Sequence, residues 1–136
     1  MDVVYRLIRS DEIIKVNVTG EFDRTATKET CAKLAESVRD MKAAGVLLDV
    51  RNFKCDMTVT DVYEVCTELA GFLPFHQRRM AVLVDHDCGQ HRFDLADFLA
   101  LCGRNRGLPI RAFTDKESAA QWLESEADRI FSNEGA

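Results

Sequence analysis

Residues 46–50 read Val46-Leu47-Leu48-Asp49-Val50, and residues 80–84 read Met80-Ala81-Val82-Leu83-Val84. Each is a short, nearly unbroken apolar run, too short for a helix and bounded by polar or glycine-containing sequence. Runs of this kind predict interior parallel strands that are covered on both faces. The segment between them changes period. Thr58-x-x-Asp61 resembles a capping box, and Val62, Val65, Cys66, Leu69 and Leu73 follow at helical spacing, with Gly71 and Pro74 marking the exit. Strand, helix, strand is the repeating unit of a parallel sheet with helices packed against it.

The same alternation extends in both directions. Upstream, Thr27, Cys31, Leu34, Val38 and Met41 step by three and four, which predicts a helix closed by Gly45. Before it, Ile14, Val16 and Val18 alternate with Lys15, Asn17 and Thr19 as in a strand with one apolar face. Tyr5 to Arg9 makes a further strand, and the short Ser10-Asp11-Glu12 turn requires this pair to be antiparallel. Downstream, Phe93, Ala96, Leu99, Ala100 and Gly103 define a third helix, broken by Gly107 and Pro109. Ile110 to Phe113 is a last strand. Thr114-x-x-Glu117 reads as the capping box of a final helix packed through Ala119, Trp122, Leu123 and Ala127, running on toward Ile130 and Phe131. The expected order is β-β-α-β-α-β-α-β-α: an α/β fold with a mostly parallel sheet and an antiparallel N-terminal edge strand. No linker or internal repeat divides it, so residues 1–136 are expected to form one domain with a frayed tail at 131–136.

Composition narrows the function classes. The chain has 136 residues, with 30% charged and 46% hydrophobic, which is ordinary for a folded domain. No apolar run is long enough to span a membrane, and the opening residues lack the apolar core and cleavage site of a signal peptide, so a cytoplasmic protein is expected. A formal charge of −5 works against nonspecific nucleic-acid binding. The arginine clusters, Arg78-Arg79 and Arg104, Arg106 and Arg111, are not interleaved with stacking aromatics. Five cysteines, an odd number with no pair at C-x-x-C spacing, indicate free thiols rather than a disulfide framework or a zinc knot. Neither G-x-G-x-x-G nor a Walker A sequence is present, which disfavours a nucleotide-hydrolysing or dinucleotide enzyme. No cofactor is indicated.

Three stretches carry a family resemblance: Val16-Asn-Val-Thr-Gly-Glu-Phe22, Gly45-Val-Leu-Leu-Asp-Val-Arg-Asn-Phe53 before a capped helix, and Ile110-Arg-Ala-Phe-Thr-Asp-Lys-Glu-Ser-Ala-Ala-Gln-Trp-Leu123. With these the chain resembles the SpoIIAA-like proteins, relatives of the STAS domains of anti-sigma-factor antagonists and of the cytoplasmic tails of anion transporters. The resemblance implies a SpoIIAA-like (STAS-like) α/β fold that binds partners and performs no chemistry. In antagonists of this type a serine follows the strand-end aspartate, and its phosphorylation switches partner binding. Here Asp49 is followed by Val50, Arg51 and Asn52, so the D-S-S-G pattern is absent. A similarity to the STAS/SEC14-like subgroup implies, as an alternative, the carriage or sensing of a small apolar ligand.

The candidate residues fall into three groups. Open α/β sheets place ligands beyond the carboxyl ends of their strands, where Asp49, Asp85, His86, Asp87 and His91 gather. Asp85-His86-Asp87-Cys88-Gly89-Gln90-His91 is rich in metal-ligand types, but it has no recognised ligand spacing, and no metal is expected. Asp49 and Asp85 could serve acid/base work in a small enzyme, or could simply accept hydrogen bonds from the loops that follow. Cys88 beside His86 or His91 has no identifiable orienting group. Thr58 and Thr60 stand near a helix start, where a phosphate would be favoured, although both also read as capping hydroxyls. Phe53, Met57, Phe72 and Phe75 could form an exposed patch for a protein partner or a dimer mate, line an apolar pocket, or pack as a satellite of the core.

Overall fold

The computed structural model describes residues 2–8, 13–54, 57–85 and 90–124, with the side chains of residues 7–8 and 90–92 outside the description. Two strands open the chain: β1 (Asp2–Ile8) and β2 (Ile13–Glu21). Then come α1 (Arg24–Met41), β3 (Gly45–Asp49), the two-residue β4 (Phe53–Lys54) and α2 (Val59–Ala70). A 3-10 turn (Leu73–Gln77) leads into β5 (Arg79–Leu83), followed by α3 (Gln90–Asn105), β6 (Ile110–Phe113) and a helix over residues 116–124, here α4. The sheet runs β1-β2-β3-β5-β6, with β4 joined to the far end of β2. Among the described residues, only the β1–β2 pair is antiparallel, and every other pairing is parallel. The antiparallel edge and parallel interior agree with the sequence reading, which lacks β4 and the 3-10 turn.

The register separates two faces of unequal depth. Ile14, Val16 and Val18 of β2 share a face with Val46, Met80, Val82 and Ile110, and against it pack Cys31, Leu34 and Val38 of α1, Val62, Cys66 and Leu69 of α2, and Leu95, Leu99 and Ala100 of α3. The opposite face holds a smaller cluster, in which Ile13, Leu47, Ala81 and Leu83 meet Ala119 and Leu123 of α4. The interior strands β3 and β5 are therefore buried on both sides, as their continuous apolar runs require. Val46, Leu47, Ala81 and Leu83 are fully enclosed.

Local chemistry sets the helix ends. Asp23 starts α1 by accepting from the backbone N–H groups of Thr25 at 3.0 Å and Ala26 at 3.2 Å. The expected cap at Gly45 is not used: α1 ends at Lys42, which takes a left-handed conformation (φ 52°), and its N–H bonds to the carbonyl of Arg39. Gly45 instead opens β3, where close packing favours it. A Cβ there would sit 3.1 Å from Leu123 Cδ2 and 3.2 Å from the Arg79 carbonyl. The Thr58–Asp61 capping box forms with both reciprocal bonds, at 3.2 and 2.9 Å. For α4 the cap is Asp115 rather than Thr114; its carboxylate accepts from Glu117 N at 3.3 Å and Ser118 N at 3.1 Å. Leu73, read as the end of the α2 stripe, is 84% exposed, because the helix stops at Ala70 and Leu73 falls in the 3-10 turn. Met41 is likewise exposed at the end of α1.

Candidate functional site

Between the sheet and its three helices the packing leaves an apolar cavity of about 150 Å³. Val18, Leu48, Val82 and Val84 form its floor. Cys31 and Leu34 of α1, Val62, Val65 and Leu69 of α2, and Leu95, Ala96 and Leu99 of α3 form its walls. Phe22, Val50, Phe53, Met57, Thr27 and Asp85 surround the end nearest the carboxyl termini of the strands. Among the described residues, Thr27, Thr30 and Asp85 are the polar lining residues. The lining includes small side chains, Ala96 and Cys31, where larger ones would fill the space. Cys31 is buried, and that burial, helped by the charge of Glu68, pushes its thiol pKa up to about 12. It is therefore an apolar wall group, not a thiolate.

Next to the mouth, a polar groove of about 320 Å³ separates the first turns of α1 and α2. Arg24 spans it, reaching Asp61 Oδ1 at 2.9 Å and Glu64 Oε2 at 3.0 Å. Phe22, Thr27 and Val65 border both spaces, so the groove and the cavity adjoin. On the outer side of α2, Val59 and Tyr63 are about half exposed, with the Arg106 guanidinium 4.6 Å from the Tyr63 ring centroid.

The residues singled out from sequence are distributed as follows. Phe53 and Met57 line the cavity. Phe72 and Phe75 do not; they pack edge to face with ring centroids 6.2 Å apart, at the amino end of β5, with Phe75 buried. Asp49 is buried on the α4 side of the sheet. It accepts from Arg51 Nε at 3.0 Å and Nη2 at 2.7 Å and from the Arg51 backbone N–H at 3.1 Å. Burial opposes its charge, but these bonds, and then the charges of Arg51 and Lys15, prevail and hold its carboxyl below the usual range. Asp85 is exposed at the cavity end. Thr58 caps α2, and Thr60 is exposed in its first turn. His86, Asp87 and Cys88 lie outside the described residues. His91 lies in α3, its side chain outside the description.

Sequence reading did not find most of the cavity wall, or the Arg24 bridge. Positions 31, 34, 62 and 99 were legible as core. That they leave space between them depends on how the helices seat, which periodicity does not encode.

The mostly parallel sheet with its antiparallel edge strand and packed helices defines a small α/β domain. The chain belongs to the SpoIIAA-like family, whose model matches residues 13–124. Among solved structures, an uncharacterized DUF3478-family protein from Shewanella loihica with a SpoIIAA-like fold aligns with TM-score 0.56 at 14% identity, over 90% of this chain and 92% of its own. The anti-sigma factor antagonist SpoIIAA in its unphosphorylated form aligns with TM-score 0.54 at 14% identity, over 91% and 97%. An anti-sigma factor antagonist from Mycobacterium paratuberculosis aligns with TM-score 0.53 at 11% identity, over 90% and 95%. At these identities the likeness is one of fold. No curated protein is similar enough to the chain to count as a relative. Among the described residues, no helix is long and apolar enough to cross a membrane.

Proposed function

We propose that this chain is a non-catalytic binding domain of the cytoplasm that holds a small apolar ligand in the cavity under α1, α2 and α3. The observation that carries this reading is the cavity itself: about 150 Å³, walled by aliphatic and aromatic side chains, at the carboxyl end of the sheet. Apolar cavities of about 150 Å³ stay dry and accept benzene-sized or monatomic guests. The volume is small for a drug-like ligand. It suits a compact apolar molecule, or the end of a longer chain entering beside Met57 and Phe22.

The engagement of Asp49 also favours binding over chemistry. Both of its oxygens accept from Arg51, so it is not a free base. The antagonist role named for two of the solved relatives comes to this chain in the same form, as regulation through a protein partner. Here the partner would read the α1–α2 surface above the ligand, where Val59 and Tyr63 stand exposed.

Native mass spectrometry of freshly purified protein tests the ligand reading. A mass increment above 15.4 kDa that disappears on denaturation supports it and weighs the guest. A bare chain that also fails to take up added benzene or xenon refutes it.

A further inference from the structure

The wall of the apolar cavity is thinnest toward the polar groove. Phe22, Thr27 and Val65 are the residues the two spaces share, and each is only partly buried. The rest of the helical wall is tighter: Leu34, Val62, Leu69, Leu95 and Leu99 are all buried core side chains. A guest cannot pass through close-packed core, so an enclosed space of this kind fills only when part of its wall opens.

Arg24 lies across the outside of the thin part. It is the first residue of α1, and its Nη2 reaches two carboxylates one turn apart on α2, Asp61 Oδ1 at 2.9 Å and Glu64 Oε2 at 3.0 Å. Asp61 is itself fixed to its helix, because its other oxygen accepts from the Thr58 backbone N–H at 2.9 Å. Arg24 therefore grips the capped first turn of α2. Among the described residues, these are the ion pairs that join α1 to α2. They are also exposed: the Arg24 side chain is 58% accessible and that of Glu64 46%. Ion pairs this open to water hold weakly, since both partners are solvated again once they separate.

We propose that the Arg24 bridge is the latch of the cavity: its release lets the first turns of α1 and α2 part at Phe22 and Val65 and admits the guest from the groove. The inference rests on the ligand reading of the cavity and adds to it the route of entry and the contact that governs the rate. Arg24 lines the groove and not the cavity, so it makes no contact with a guest inside. The latch is closed with or without a guest, and its loss speeds entry and exit alike while leaving affinity unchanged. Being an exposed charge contact, it loosens as salt screens it.

The test uses the full chain and two of its own thiols. Cys31 lines the cavity, whereas Cys66, fully buried on α2, does not. Iodoacetamide reaches Cys31 through the open latch and reaches both thiols through unfolding, so peptide mass mapping reads the latch as the ratio of the two labelling rates. Arg24→Gln should raise the Cys31-to-Cys66 ratio by about threefold or more. Arg39→Gln, which removes an exposed ion pair near the other end of α1, should leave it unchanged. Going from about 10 mM to about 1 M sodium chloride shortens the screening length from about 30 Å to about 3 Å. The ratio should rise over this range in the wild type and stay level in Arg24→Gln. Benzene exchange, followed by NMR line shape, should quicken in Arg24→Gln with its Kd unchanged. An unchanged ratio, equal acceleration of Cys31 and Cys66, or the same salt response in both proteins overturns the latch. So does a benzene affinity that changes while the exchange rate does not. A chain that takes up no benzene while the ratio rises overturns the ligand reading and supports the latch.

Discussion

Asp49 and Arg51 close on each other across a single intervening residue, Nε to Oδ1 at 3.0 Å and Nη2 to Oδ2 at 2.7 Å. The pair fixes the turn that carries the chain out of β3 and across to β4, and Arg51 adds its own backbone N–H to Oδ1 at 3.1 Å. Replacing Asp49 with Asn keeps the shape but removes the charge and one acceptor. We expect Asp49→Asn to lose about 1–3 kcal/mol in urea denaturation. The pH dependence has a definite sign. The Asp49 carboxyl titrates lower in the folded protein than in the unfolded chain. Its stabilising contribution is therefore complete above the unfolded value of about 3.9 and is lost as pH falls through the folded value. The wild-type midpoint should decline on acidification below about pH 4, and the Asn variant should decline less steeply.

Cys31 reports on the closure of the cavity. Its thiol, pushed up to about 12 and 6% exposed, is protonated and shielded at pH 8. Alkylation by iodoacetamide, followed by peptide mass mapping, should modify Cys31 in the native protein at least about a hundredfold more slowly than in the urea-unfolded chain. Labelling at the free-cysteine rate would mean that α1 does not cover this wall.

The 3-10 turn separates packing from exposure within three residues. Phe75 is 3% exposed and Leu73 84%. Phe75→Ala should cost about 3–5 kcal/mol, while Leu73→Ala should fall within about 0.5 kcal/mol of wild type. Equal losses at the two positions would contradict the assignment of Phe75 to the core.

Much of this fold is legible from short patterns. The runs at 46–50 and 80–84 read as doubly covered strands because no face needed to be polar. The Ile14, Val16, Val18 alternation sorted the faces of β2 correctly, and the Thr58–Asp61 box marked its helix start to the residue. The features that escaped reading depend on distant parts of the chain. Phe53 and Lys54 count as a strand only because they pair with Gly20 and Glu21. The end of α1 rests on a left-handed Lys42, which carries none of the glycine signal. Lys15 reads as an ordinary solvent-side lysine until the fold buries most of its side chain and sets its ammonium 3.8 Å from Asp49. Most of the cavity wall escapes for a related reason: apart from Phe53 and Met57, each wall residue reads simply as core, and the space is a property of their assembly.

Wall substitutions should move ligand binding and stability in opposite senses. Ala96→Leu places added bulk into the cavity, and we expect it to abolish uptake of an apolar probe while stability holds or rises by about 1 kcal/mol. Leu34→Ala, on the facing wall, should cost about 2–5 kcal/mol and enlarge the space, so that the folded variant accepts larger guests. Thermal denaturation with and without probe distinguishes the two.

The most direct measurement is a benzene titration of the methyl-labelled chain, followed by NMR. Saturable shifts at the methyls of Leu34, Val62, Leu69 and Leu99, with none at the exposed Leu73 and Leu101, are the expected result for a guest inside the cavity. Shifts that grow linearly without saturation, or that appear equally at Leu73 and Leu101, would show that the cavity takes no ligand.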